Sequence, residues 1–196
     1  PSTPPFRSMA RSLATLVIIV TLGAAVSARG ADEPAQNTPV FGGSGGRAFS
    51  LSCGAGYVLT GLRGRTGMLV DRVGLLCRFV RADGTLGAET TRDREVGGTG
   101  GGPASRSCPP GQVVSGLPVR TSSSVAEVRL LCGTWNAAQR TWSGRTELQQ
   151  GFGLRTPSLT YTFKSHLCEL RRQPAVGLRG RSGGFVDALG LTCDEP

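Results

Sequence analysis

Apolar residues along this chain come in short runs at every second position: Phe49, Leu51 and Cys53; Val73, Leu75, Cys77 and Phe79; Val128, Leu130 and Cys132; Leu189, Leu191 and Cys193. A period of two puts each set on one face of a β-strand, so these runs predict strands with one buried side. Clusters of glycine separate the runs and supply the positive φ angles and close approaches that tight connections need. With 30 Gly, 12 Pro and 18% charged residues in 196, the chain predicts an all-β fold of many short strands. Its length suits one domain with a core large enough to fold unaided.

The strands belong to a repeated unit. "GLRGRTGMLVDRVGLLC" (Gly61 to Cys77) returns as "GLRGRSGGFVDALGLTC" (Gly177 to Cys193), with 11 of 17 positions identical. A middle copy aligns without a gap, placing Cys108 on Cys53, Gly116 on Gly61 and Cys132 on Cys77. Upstream, Gly42, Gly43, Gly45 and Gly46 stand at the same distances before Cys53 as Gly97, Gly98, Gly100 and Gly101 before Cys108. Before Cys168 the register is lost, with Gly151 and Gly153 the only glycines and Pro157 and Ser158 where the pair should be. Each unit reads as an antiparallel sheet of about four strands that cannot cover its own apolar face. Three such sheets around one axis can, which predicts a three-sided prism.

The N-terminus changes the picture by implying export. Met9, Arg11, the apolar run "LATLVIIVTLGAAV" and the small residues Val26, Ser27 and Ala28 have the pattern of a secretory signal, too short for the roughly 20 residues of a spanning helix. The expected organisation is residues 1–28 as upstream residues plus signal, 29–40 as linker, and 41–196 as one prism of three repeats, secreted to an extracellular or periplasmic space. There the six cysteines, Cys53, Cys77, Cys108, Cys132, Cys168 and Cys193, are expected to be disulfides. Pairing first with second in each unit is the simplest connectivity, and each bond would contribute roughly 3 kcal/mol. No C-x-x-C spacing and a single histidine, His166, leave no metal site, and no cofactor is called for. The net charge is +9 and all but one of the 22 basic residues are arginine. Without an aromatic platform this excess reads as solvated surface, and nucleic acid is not an expected partner.

The glycine-rich "FGGSGGRAFSL" followed by "VLTGLRGRTGMLVDRVGLLC" resembles the jacalin-related lectins, from about Val40 to Cys193. That resemblance implies a β-prism I fold, three four-stranded Greek-key sheets with pseudo-threefold symmetry, and a non-catalytic, carbohydrate-binding function with glycans or glycoconjugates as partners. The paired cysteines are more like the vitelline membrane outer layer family, which has a similar prism without the lectin loop. A disulfide-stabilised extracellular structural protein is therefore the alternative.

In the mannose-binding lectins a sugar lies between a GG loop and a GxxxD loop, and the resemblance pairs the last GxxxD loop with the first GG loop. One site would then comprise Asp187, Gly183, Gly184 and Phe185 with Gly42 and Gly43, and a second Asp71, Gly67 and Met68 with Gly97 and Gly98. Each aspartate would accept hydrogen bonds from sugar hydroxyls, glycine keeping the backbone open to the ring. Phe185 and Leu69 either flank the ring or pack, packing being the reading for Leu69; Arg65 and Arg181 shape loops or face solvent. The middle copy has Ser122 and Ala126 in place of the glycine and aspartate, and would face the degenerate flank before Cys168. The galactose-binding members use a free amino terminus at the first glycine, whereas here "RGADEPAQNTPV" precedes Phe41, which favours mannose or glucose. An enzyme is disfavoured: the repeated aspartates fall in different loop pairs, and His166 lies in the least regular unit.

Overall fold

A computed structural model describes residues 1–2, 36–153 and 162–196, and every strand falls in one compact unit, Pro34–Pro196. The predicted export signal lies outside the described residues. The chain opens with β1 (Gln36–Asn37), β2 (Phe41–Gly42) and β3 (Arg47–Ser52). A four-stranded sheet, here sheet B, follows from β4 (Tyr57–Thr66), β5 (Val70–Val80), β6 (Leu86–Gly97) and β7 (Gly102–Ser107) in the order β6-β5-β4-β7. Sheet C comprises β8 (Val113–Thr121), β9 (Val125–Val128), β10 (Leu131–Asn136), β11 (Thr141–Glu147), β12 (Phe152–Gly153) and β13 (Thr162–Leu167). Finally β14 (Ala175–Ser182) and β15 (Val186–Cys193) pair with β1, β2 and β3 to form sheet A.

Allowing for interrupted strands, each sheet has the same order: an outer strand, the two strands of a hairpin, and a return strand beside the hairpin's first member. This is the three-sheet Greek-key prism of the β-prism I type. The interruption between β9 and β10 has a local cause, because Pro118 on β8 has no N–H to give; only its carbonyl is used, by Arg129 N–H at 2.8 Å. In sheets B and C the outer and return strands follow their own hairpin. In sheet A they come from the other end of the chain, β3 lying against β14 with Leu51 opposite Leu178. The glycine-rich flank ahead of Cys53 thus belongs to the last hairpin in sequence.

Two boundaries differ from expectation. The segment read as a linker to residue 40 already belongs to the sheet at its end: Gln36 pairs with Cys193, and buried Thr38 receives the Leu191 N–H on its hydroxyl at 2.8 Å. Phe79, read as the last inward residue of its strand, is exposed; there the register shifts between Arg78 and Val80, and the ring packs edge-on against Tyr57 at 5.3 Å. The other alternating residues converge on one core from all three sheets, with Leu51, Leu75, Leu117, Leu130, Leu178 and Leu191 fully buried.

The disulfides pair as the spacing suggests, Cys53–Cys77, Cys108–Cys132 and Cys168–Cys193. Each does more than close a local loop. Cys53, Cys108 and Cys168 end the return strands of sheets A, B and C, their N–H groups bonded to Val176, Thr60 and Ser115 at 2.8 Å. Their partners Cys77, Cys132 and Cys193 lie in the hairpins of sheets B, C and A. The three bonds therefore run A to B, B to C and C to A.

Candidate functional site

At one rim of the prism the turn between β14 and β15 is closed by Gly183 N–H to Phe185 C=O at 2.9 Å, and Asp187 follows at the start of β15. Strand β2 lies alongside, and Gly43 N–H donates to the Asp187 carbonyl at 2.9 Å. Only glycine permits this approach at position 42: its φ is +141°, and a Cβ would come 2.6 Å from the Ala188 Cα. The chain then folds over the carboxylate, where a Cβ on Gly45 would stand 2.7 Å from Oδ1. Bare backbone at Gly45 and Gly46 thus forms the wall beside Asp187, and Oδ2 is buried there without a hydrogen-bond partner among the described residues. Arg181 fixes that wall with a fork, Nε donating to Gly45 C=O at 2.8 Å and Nη2 to Gly46 C=O at 2.7 Å.

Sheet B repeats the arrangement. Gly97 (φ +121°) lets β6 lie on β5, Gly98 N–H donates to the Asp71 carbonyl at 2.7 Å, and the Asp71 carboxylate sits against Gly100 and Gly101. Arg65 makes the matching fork, 2.8 Å to Gly100 C=O and 2.6 Å to Gly101 C=O. Asp71 is the more enclosed carboxylate, 6% exposed.

The structure therefore brings Asp187 together with Gly42 and Gly43, and Asp71 with Gly97 and Gly98. The geometry also revises the detail. The first glycines of each flank pack on the aspartate's backbone, while the second pair, Gly45–Gly46 and Gly100–Gly101, meets its carboxylate. Phe185 does not close the Asp187 site. It lines a hollow of about 430 Å³ with Gly67, Met68, Leu69, Asp71 and Gly101, so the last hairpin contributes an aromatic wall to its neighbour's site. Gly184 has the same orientation, since a Cβ on Gly98 would collide with the Gly184 carbonyl. Met68 and Phe185 are 65% and 43% exposed, an apolar pair at the mouth of the hollow; Leu69, expected to pack, is half-buried and lines it too. The arginine forks beside the two carboxylates are what the sequence alone leaves undecided, although both stand in the identical "GLRGR".

The third rim keeps the backbone and loses the chemistry. Phe152 opposite Val128 and Gly153 opposite Glu127 match Phe41 opposite Leu189 and Gly42 opposite Ala188. Gly153 has φ +120° and closes on the Ala126 carbonyl, as Gly42 does on Asp187. The register is thus kept rather than lost: the flank is longer, with 15 positions from Gly153 to Cys168 against 11 from Gly42 to Cys53. Ala126 stands where the other rims have aspartate, and Arg120, at the fork position, pairs with Glu127 at 3.5 Å. His166 is buried on β13, its ring stacked on Phe41 at 4.3 Å. Burial pushes its pKa down to about 4 against the opposing pull of the Leu189 carbonyl, so it is neutral in the core.

No protein-family model matches this chain, and no curated protein sequence does. Solved structures do. Malaysian banana lectin superposes with a TM-score of 0.54 at 20% identity, covering 83% of this chain and 99% of its own. A mannose-binding jacalin-related lectin from Ananas comosus gives 0.50 at 19% identity, covering 83% and 99%. Calsepa lectin, solved with a biantennary N-glycan, gives 0.52 at 17%, covering 83% and 97%. The chain has the fold of the jacalin-related lectins.

Proposed function

We propose that the protein is a secreted lectin that binds neutral glycans of the mannose or glucose class at two rim sites and catalyses no reaction. The observation that carries this reading is the Asp187 Oδ2 atom, a buried acceptor without a donor among the described residues, beside side-chain-free backbone. An orphaned buried acceptor costs about 1–3 kcal/mol, and a sugar hydroxyl is a neutral donor of the right size to satisfy it. Asp71 with Gly100 and Gly101 repeats the arrangement, and the apolar wall of Met68 and Phe185 suits the C–H face of a pyranose. The likeness in fold to a mannose-binding lectin and to one bound to an N-glycan supports the class. Phe41 and Gly42 lie in a strand paired to β15, so the first glycine presents an amide in an unbroken chain rather than a free amine. A shallow site of this kind binds in the millimolar range, about −4 kcal/mol, and two sites gain strength only on a multivalent glycan surface.

Retention on immobilised mannose tests the reading. Asp187→Ala and Asp71→Ala should each weaken retention and the double variant should abolish it, with stability within about 1 kcal/mol of the parent because neither carboxylate accepts a hydrogen bond among the described residues. Full retention by the double variant would leave the structural alternative standing.

A further inference from the structure

The three hairpins carry an equivalent cross-strand pair one step below the rim, and its chemistry differs in each. It is Arg181 opposite Ala188 in sheet A, Arg120 opposite Glu127 in sheet C, and Arg65 opposite Arg72 in sheet B. Like charges directly opposed on an antiparallel pair are destabilising. Sheet C resolves its pair internally as an ion pair and sheet A has no second charge. Sheet B resolves its pair only in part, through a long ion pair from Arg72 to Glu95. The nearby carboxylate, Glu95, is taken by Arg63, which reaches it through both Nε and Nη2, and it stands 3.9 Å from Arg72 Nη1. Arg65 makes no ion pair among the described residues.

Both guanidiniums are held in place by backbone. Arg72 Nε donates to Gly98 C=O at 2.7 Å and Arg65 forks onto Gly100 and Gly101, which leaves Arg65 Nη1 and Arg72 Nη2 without a hydrogen-bond acceptor among the described residues. With Arg63 they line a hollow of about 450 Å³ on the outer face of sheet B, three guanidiniums against the single carboxylate of Glu95. Gly74 keeps its floor low, since a Cβ there would come 2.7 Å from Glu95 Cγ. Arg72 is 29% exposed, so a charge beside it is less screened than one on open surface.

We propose that this hollow binds an anionic oxygen group, a sulfate or carboxylate, between Arg65 and Arg72, carried on a polysaccharide. Preorganised guanidiniums bind such groups through paired N–H donors, and the anion removes the repulsion that the fold leaves in place. The choice of a saccharide as carrier rests on the sugar reading above: the carbonyls that Arg65 and Arg72 hold belong to the loop covering Asp71, so a glycan at that rim presents its next unit to this face.

Titration of the full chain with heparin, polygalacturonate, neutral dextran and duplex DNA at about 0.15 M salt tests it. Heparin or polygalacturonate should bind, the better of the two identifying sulfate or carboxylate, whereas dextran, a neutral glucan, reaches only the rim sites, so excess free mannose should displace dextran and leave the anionic polysaccharide bound. Arg72→Ala and Arg72→Glu recreate the pairs that sheets A and C already accommodate, so both should fold. The first should weaken binding about tenfold and the second abolish it. Arg179→Glu, the same charge change on sheet A, should weaken binding less than about threefold. Asp71→Asn should weaken mannose retention, the Asp187 rim remaining, yet keep heparin affinity, separating this site from the neutral-sugar site. Equal loss in Arg179→Glu and Arg72→Glu, an unaffected Arg72→Glu, no binding of either polysaccharide, or duplex DNA binding as tightly through Arg72 would each overturn the proposal.

Discussion

The rims of sheets A and B and the rim of sheet C share one backbone and differ in what it is used for. Gly42, Gly97 and Gly153 all adopt positive φ and close on the carbonyl of the equivalent residue, Asp187, Asp71 and Ala126. In the first two an arginine fork holds a glycine wall beside a carboxylate; in the third, Arg120 pairs with Glu127 and Ala126 occupies the aspartate position. The contrast separates two roles that coincide in sequence. The first glycine of each flank serves the sheet, and persists where the site has gone. The second glycine pair stands beside the aspartate's carboxylate, and both pair and aspartate are missing from the third flank and hairpin.

The largest test of that contrast concerns the diverged sheet. Position 166 is equivalent to Leu51 in sheet A, both opposite a hairpin leucine, and only in sheet C is it a buried histidine. Its folded pKa, about 4, lies below the unfolded value of 6.5, so protons favour the unfolded chain. Its contribution is intact above pH 6.5 and is lost as pH falls toward 4, by about 3 kcal/mol in total. His166→Leu should remove that part of the acid dependence in urea unfolding measured across this window. Next, Gly42→Ala, Gly97→Ala and Gly153→Ala should each cost about 2 kcal/mol, alike in all three sheets, because each meets the same carbonyl at the same φ. A much milder effect at Gly153 would show that the third rim has lost its backbone as well as its chemistry. The smallest effect is expected from Arg181→Lys, since one ammonium cannot span both carbonyls. Sugar affinity by titration calorimetry should fall by about tenfold, whereas Arg120→Lys should leave it unchanged.

Much of this was legible in the residues. Alternation marked the strands, cysteine spacing marked the disulfides, and the twofold survival of glycines with aspartate marked the two rims. What escaped has identifiable reasons. Periodicity shows which face of Phe49 and Leu51 is buried but cannot show that their strand joins a hairpin at the far end of the chain, nor that each disulfide crosses between sheets. Counting back from Cys168 hid Gly153 because the flank had lengthened. An arginine near the end of a strand looks the same whether it faces solvent or holds two carbonyls, and Phe185 sits in one loop's sequence while lining the next loop's hollow. Phe79 ran past the end of the prism, where alternation continues although burial stops.

The ring of disulfides has a consequence for how the chain is made. Each bond joins neighbours in sequence, 24 or 25 positions apart, so every thiol finds its partner soon after leaving the ribosome or translocon and has little opportunity to choose wrongly. Sheet A, by contrast, stays half-built until the final hairpin emerges. Oxidation can therefore run ahead of assembly, leaving the early strands tethered in place for a partner that is synthesised last.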